Sequence, residues 1–198
     1  MHKTSVTAHA GALKTKPNTL DSIRAGLACG AGVIEVDVRF LPDGVPVLGH
    51  TKAGANAARL EDVFALMQGC ETAINLDMKE TAHVARMAEL VAQHGLQERA
   101  FMTGLFKTGC AALRDCGLPY YLNAADPAAA GALGALGINI SYRLCTKKLV
   151  QRTHEHGLLV SVWTVNRRQA MRKMLRMGVD NITTRKPDAL LELLNHDT

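Results

Sequence analysis

Three observations on the 198-residue chain predict a compact (β/α)8 barrel, the TIM-barrel form of the α/β class. Short runs rich in β-branched residues alternate with helical patterns along the chain, the mark of βαβ units and a parallel sheet. The strand-then-helix units number eight, the count that closes a parallel barrel. No G-x-G-x-x-G turn follows the first strand, as an open dinucleotide-binding sheet would require there. A single domain spanning residues 1–198 is expected at this length, with short connecting loops.

The first strand is read over residues 5–9, ending at Gly11, with a loop over 14–17. Asn18 or Thr19 caps a helix over 20–29 that stops at Gly30. Residues 33–40 form the most strand-like run, branched and aromatic between glycine and proline. A turn at Pro42-Asp43-Gly44 leads to an extended piece over 45–50, and a polar loop follows over 51–58. Leu60, Val63, Phe64 and Met67 set a helical period over 60–68. Regular alternation follows. Strands at 73–79, 100–105 and 120–123 precede helices at 83–94, 110–116 and 127–136. Strands at 138–144, 158–165 and 179–184 precede helices at 147–156, 168–177 and 187–194.

With aromatics at only 4%, small and branched aliphatic side chains must fill the core. The net charge of +5 suits an anionic small-molecule substrate. Without a Lys/Arg run or interleaved aromatics it does not suit nucleic acid. The five cysteines are scattered and never spaced C-x-x-C, which argues for reduced thiols in the cytoplasm rather than disulfides or zinc. No stretch is apolar over a membrane-spanning length, so no stable membrane insertion is expected. No signal-peptide-like segment opens the chain. Nothing in the composition fixes an oligomeric state.

Alternation in the 33–40 strand puts Ile34, Val36, Val38 and Phe40 on one face and Val33, Glu35, Asp37 and Arg39 on the other. Two neighbouring carboxylates are costly to bury unless something positive lies between them. Taken alone, an E-x-D pair fits a solvated polar face equally well. In a barrel, however, functional groups gather at the C-terminal strand ends. There Thr7 and His9 share a face, as do Asn75, Asp77 and Lys79, with Asn123, Ser161, Trp163 and Thr183 on later strands. The turn after the second strand adds His50. Glu35, Asp37 and Asp77 are hard oxygen donors, which select Mg2+ or Ca2+ over zinc. Two histidines beside such an ion suit in-line displacement at phosphorus, one handling the attacking group and one protonating the leaving alcohol. The ion and a lysine would offset phosphoryl charge. The plain alternatives are an Asp77–Lys79 salt bridge, a core Trp163, and surface positions for His2, His83, His94, His154, His156 and His196. Arg143 and Arg185, near later strand ends, fit a phosphate contact or a solvated position.

These residues resemble the glycerophosphodiester phosphodiesterase family. His9-Ala10-Gly11 is similar to its H-R-G, Asn18-Thr19 to the end of its P-E-N-T, and Ile34-Glu35-Val36-Asp37-Val38 to its E-x-D-V. Asp43-Gly44-Val45-Pro46-Val47 with His50 resembles D-G-x-P-V…H-D, and Asn75-Leu76-Asp77-Met78-Lys79 the E-x-K strand. Val162 to Asn166 resembles W-T-V-N, and the segment from Gly178 resembles G-V-D-G-I-x-T-D. The motifs keep family order over essentially the whole chain. The resemblance implies His9 and His50 as the acid/base pair and Glu35, Asp37 and Asp77 as ligands of a divalent cation. It makes Lys79 a phosphate contact and Trp163 a pocket wall; Asn123, from its strand-end position, is a further substrate-binding candidate. The implied reaction splits a glycerophosphodiester into glycerol 3-phosphate and an alcohol.

The departures are specific. Ala10 stands for the arginine of H-R-G, which removes the phosphate clamp the resemblance implies there unless Lys79, Lys14 or Lys16 takes over; Pro17 directly precedes Asn18 where a glutamate is expected, and Thr51 replaces the aspartate that would orient His50. Asp77, where glutamate is commoner, looks like the sphingomyelinase D-type barrels. The loop over 51–58 is a minimal cap. These differences bear on the glycerol specificity more than on phosphodiester chemistry. Two rivals stay open: a barrel that only binds a phosphorylated ligand, and a sphingomyelinase D-like lyase that ends at a cyclic phosphate.

Overall fold

A computed structural model describes residues 4–54, 56–80, 83–105 and 117–196. The helix expected at 110–116 lies outside them. Eight strands form one closed parallel barrel: β1 (Ser5–Ala8), β2 (Val33–Phe40), β4 (Ala73–Met78), β5 (Ala100–Leu105), β6 (Tyr120–Leu122), β7 (Gly137–Ser141), β8 (Leu159–Trp163) and β9 (Asn181–Thr184). Closure comes from β1, which pairs in parallel with β2 on one side and β9 on the other. The short β3 (Pro46–Leu48) runs antiparallel along the far end of β2, where Val38, Arg39 and Phe40 face it.

Around the barrel lie α1 (Leu20–Ala28), α2 (Leu60–Leu66), α3 (Val84–Gln93), α4 (Pro127–Ala132), α5 (Lys147–Glu155), α6 (Arg168–Met177) and α7 (Pro187–His196). The strands turn Ile34, Val36, Ile74, Leu76, Val160 and Ile182 toward this ring, all buried in one apolar cluster. Helix α1 comes close enough that a Cβ on Gly26 would lie 2.6 Å from Ile34 Cδ1. Thr19, not Asn18, caps α1, its hydroxyl accepting from the Ser22 N–H. Asp126 and Thr146 do the same for α4 and α5.

The other face of the strands is unusually polar for a barrel interior, which branched aliphatic layers normally fill. The Thr7 hydroxyl donates to Asn181 Oδ1 at 2.7 Å, and Asn181 Nδ2 donates to Ser161 Oγ at 3.0 Å. Thr103 Oγ1 donates to Asn75 Oδ1 at 2.9 Å. Among the described residues no buried side-chain polar atom lacks a partner. Removing one member would strand its neighbour at a cost of about 1–3 kcal/mol.

Several boundaries differ from expectation for local reasons. The helix read over 127–136 stops at Ala132, because Gly134 adopts φ +74° and the chain turns to let Leu136 N–H donate to Tyr120 O. The strand read to 144 ends at Ser141, where Leu144 N–H folds back onto the Ser141 carbonyl. Three histidines read as surface residues have partners: His154 Nε2 lies 2.8 Å from Asp180 Oδ2, while His83 and His94 pack against Phe40 and Phe64. Cys29, Cys70 and Cys145 are free thiols.

Candidate active site

Strands β2 and β4 lie in register with Glu35 opposite Asn75 and Asp37 opposite Asp77. Glu35, Asp37 and Asp77 each place a carboxylate oxygen within 4.8 Å of the others. Glu35 is only 4% exposed and accepts from the Ala10 N–H at 2.7 Å. Burial, and then the charges of Asp77 and Asp37, push its pKa well above the usual carboxylate value. Asp77 is also raised, chiefly by burial, against the opposing pull of Lys79. Burial acts on Asp37 in the same direction, but the hydrogen bonds from Asn18 and Lys79 outweigh it and hold that carboxyl below its ordinary value.

Lys79 follows β4 and reaches back, its Nζ 2.7 Å from Asp37 Oδ1 and bonded also to Asp77 Oδ2. Burial pulls its pKa down, yet the two aspartates more than compensate and keep it charged. Asn18, at φ +58°, a left-handed conformation asparagine tolerates, donates Nδ2 to Asp37 Oδ2 at 2.7 Å and accepts from the Asp37 N–H at 3.1 Å. The Thr103 hydroxyl also lies 3.2 Å from Asp77 Oδ1, its single hydrogen shared between that oxygen and Asn75 Oδ1, on a bulged stretch of β5 that contains Gly104 at φ +80°.

The two sequence-predicted histidines flank this group. His9 Nδ1 lies 2.6 Å from the Ala10 carbonyl and 3.8 Å from Glu35 Oε2. A carbonyl can only accept, so Nδ1 carries a hydrogen, and in the neutral ring Nε2 keeps a lone pair. Burial lowers the His9 pKa; the bond to Ala10 opposes this and the Arg185 charge reinforces it. His50, with its side chain 71% exposed at the mouth, has Nδ1 3.2 Å from Asp37 Oδ2. Its carbonyl accepts from Arg39 Nε at 3.1 Å, and Arg39 also pairs with Glu80 at 2.9 Å. The partner expected to be missing because of Thr51 is thus supplied by Asp37 from β2. Lys79, Asn18 and His50 all touch Asp37.

His9, His50, Asp37, Asp77, Lys79, Asn123 and Trp163 line one cavity of about 1230 Å3 at the C-terminal mouth. Glu35 completes the trio beside it, off the cavity wall. Trp163 is 40% exposed there, so it is a wall of the cavity and not core. Asn123 Oδ1 accepts from Asn139 Nδ2 at 3.0 Å on the same wall. Sequence reasoning missed Asn139, although it shares the barrel-facing parity of Ser141 on β7. It also offered Asn18, beside Thr19, only as a possible helix cap, although Asn18 had already entered through the N-T motif.

The model of the glycerophosphoryl diester phosphodiesterase family matches residues 9–80 and 86–189. The chain belongs to that family. Glycerophosphoryl diester phosphodiesterases are phosphoric diester hydrolases. A curated relative, the glycerophosphodiester phosphodiesterase of Caldanaerobacter subterraneus subsp. tengcongensis, is 24% identical over 241 residues, covering 97% of this chain and 98% of that protein. Among solved structures, a glycerophosphodiester phosphodiesterase from Parabacteroides distasonis superposes with a TM-score of 0.83 at 22% identity, covering 99% of this chain and 98% of that one. A phosphodiesterase from Oleispira antarctica in complex with the product sn-glycerol-3-phosphate superposes with a TM-score of 0.83 at 17% identity, covering 96% of each chain. At such identities these likenesses establish a shared fold.

The acidic trio fits a divalent cation on its own electrostatics. Three carboxylates face one ammonium; burial first, and then the neighbouring carboxylates, raise Glu35, and burial raises Asp77 despite the pull of Lys79. The donors are all carboxylate oxygens, the set that hard ions prefer. Among the described residues, no helix is long and apolar enough to cross a membrane.

Proposed function

We propose that this chain hydrolyses glycerophosphodiesters, or closely related small phosphodiesters, to a phosphomonoester and an alcohol, with glycerol 3-phosphate the product from the former. The supporting observation is the placement of two imidazoles of different character on either side of one acidic trio. Glu35, Asp37 and Asp77 would hold the Mg2+ or Ca2+. When bound, that ion offsets the charge that grows on the phosphoryl oxygens. His9, kept neutral by burial with Nε2 unprotonated, takes the proton of the attacking water. His50, held by Asp37 and open to solvent, gives a proton to the departing alcohol oxygen as the P–O bond breaks. Lys79 keeps the aspartates ionised and lies on the cavity wall within reach of the phosphoryl oxygens. Trp163 and Asn123 bound the substrate on the opposite strands.

The test is turnover of sn-glycero-3-phosphocholine with Mg2+ or Ca2+, with EDTA and with His9→Ala. Ion-dependent release of glycerol 3-phosphate that falls by roughly 10²–10⁴ in the variant supports the reading. A cyclic phosphate as the end product would make the protein a lyase. Binding of glycerol 3-phosphate with no turnover under Mg2+, Ca2+ or Mn2+ would make it a binding barrel.

A further inference from the structure

A phosphodiester is an anion, and among the described residues three permanent cations line the cavity: Arg39, Lys79 and Arg185. Two of them are already engaged. The Lys79 ammonium bridges Asp37 and Asp77, and the Arg39 guanidinium is divided between the His50 carbonyl and Glu80. Arg185 differs from both. Its main chain is pinned, with the N–H donating to Asn166 Oδ1 at 2.9 Å and the carbonyl accepting from Leu13 N–H at 2.9 Å. Among the described residues, its guanidinium has no ion pair or hydrogen bond.

Its place in the barrel aims it at the reaction. β1 and β9 run side by side with Ala8 opposite Thr184, and His9 N–H donates to the Thr184 carbonyl at 2.9 Å. The next residues, His9 and Arg185, therefore leave the barrel together, and the Arg185 charge is close enough to act on the His9 ring. The sequence departs from the motifs it resembles at two matching points. Ala10, uncharged and on the cavity wall, stands where H-R-G has its arginine, while Arg185 stands where G-V-D-G-I-x-T-D ends in aspartate. A positive charge lost after β1 is regained after the neighbouring β9.

We propose that Arg185 binds the phosphoryl oxygens of the substrate directly, opposite Lys79, in the role left vacant at Ala10. This rests on the phosphodiesterase reading above. A planar guanidinium offers two parallel N–H donors to a phosphate, which a lysine does not, so an arginine here fixes orientation as well as charge.

The experiment compares wild type, Arg185→Ala and Arg185→Lys in two readouts with Mg2+ present: turnover of sn-glycero-3-phosphocholine, and calorimetric binding of glycerol 3-phosphate. Arg176→Ala, which removes the same charge from the exposed end of α6, is the control and behaves as wild type. Arg185→Ala is expected to lose roughly 10- to 100-fold in kcat/KM and about as much in affinity for glycerol 3-phosphate. Arg185→Lys recovers only part of this, and added guanidinium ion restores part of the Arg185→Ala loss. Arg185→Ala within about twofold of wild type in both readouts overturns the proposal while leaving the phosphodiesterase reading intact. If wild type shows no turnover, that reading fails instead, and the binding arm alone still decides the role of Arg185.

Discussion

Replacing Gly104 by alanine tests how rigidly β5 holds the acidic trio in place. Gly104 sits at φ +80°, where an L-residue costs about 1–2 kcal/mol. A Cβ built there would lie 2.3 Å from Asp77 Oδ1, 2.3 Å from the Met78 carbonyl oxygen and 2.9 Å from the Met78 nitrogen. Two of those atoms are backbone of β4, fixed by the ladder in which Asp77 faces Thr103. They cannot shift without disturbing the sheet, and overpacking of this kind costs about 1–3 kcal/mol. Together the two effects come to roughly 2–5 kcal/mol, which lowers the melting temperature of a chain this size by about 4–20 °C. Thermal unfolding followed by circular dichroism measures it. Because the third clash is with the Asp77 carboxylate itself, affinity for Mg2+ should fall by about tenfold in the surviving folded protein, as read by calorimetry. A melting temperature within about 2 °C of wild type together with unchanged ion affinity would refute the reasoning.

Three further outcomes are expected. Glu35 binds its proton more tightly folded than unfolded, so stability attributable to it is present at low pH and drains away as pH rises through its raised pKa. Without divalent ions, Glu35→Gln should therefore gain stability relative to wild type as pH climbs from the ordinary carboxylate range toward neutrality, and urea denaturation across that range measures the difference. Divalent ions compete with protons on Glu35 and Asp77, so ion binding should release protons and strengthen with pH; calorimetry in two buffers of different ionisation enthalpy counts them. At about 100 times Kd the ion adds about 2.7 kcal/mol of stability. Asn18→Gly keeps the left-handed turn but loses both hydrogen bonds to Asp37, and should cost about 1–3 kcal/mol in urea denaturation along with ion affinity.

The barrel was legible because its signals are local. Strand runs alternate with helical patterns that end at glycine (Gly30, Gly95, Gly157, Gly178), and period-two alternation alone puts Glu35 and Asp37, or Asn75 and Asp77, on one side. Strand ends were less legible, since the residue types of 141–144 continue past the point where Leu144 turns back onto Ser141. What stayed hidden depends on closure. Asn18 reads as a cap until the loop after β1 folds over β2 and brings its amide onto Asp37, nineteen residues away. His50 seems unsupported beside Thr51 until the hairpin with β3 carries it to Asp37. Gly104 shows its purpose only when β5 is laid against Met78 and Asp77. Arg185 and His9 become neighbours only because the last strand pairs with the first.

A crystal grown with Mn2+ as the divalent ion, measured at the manganese absorption edge, is the most direct measurement of whether these carboxylates grip an ion. The expected result is one strong anomalous peak bonded to oxygens of Glu35, Asp37 and Asp77 at the floor of the cavity. A map without a peak there at saturating Mn2+, with Lys79 still joining Asp37 to Asp77, would contradict it.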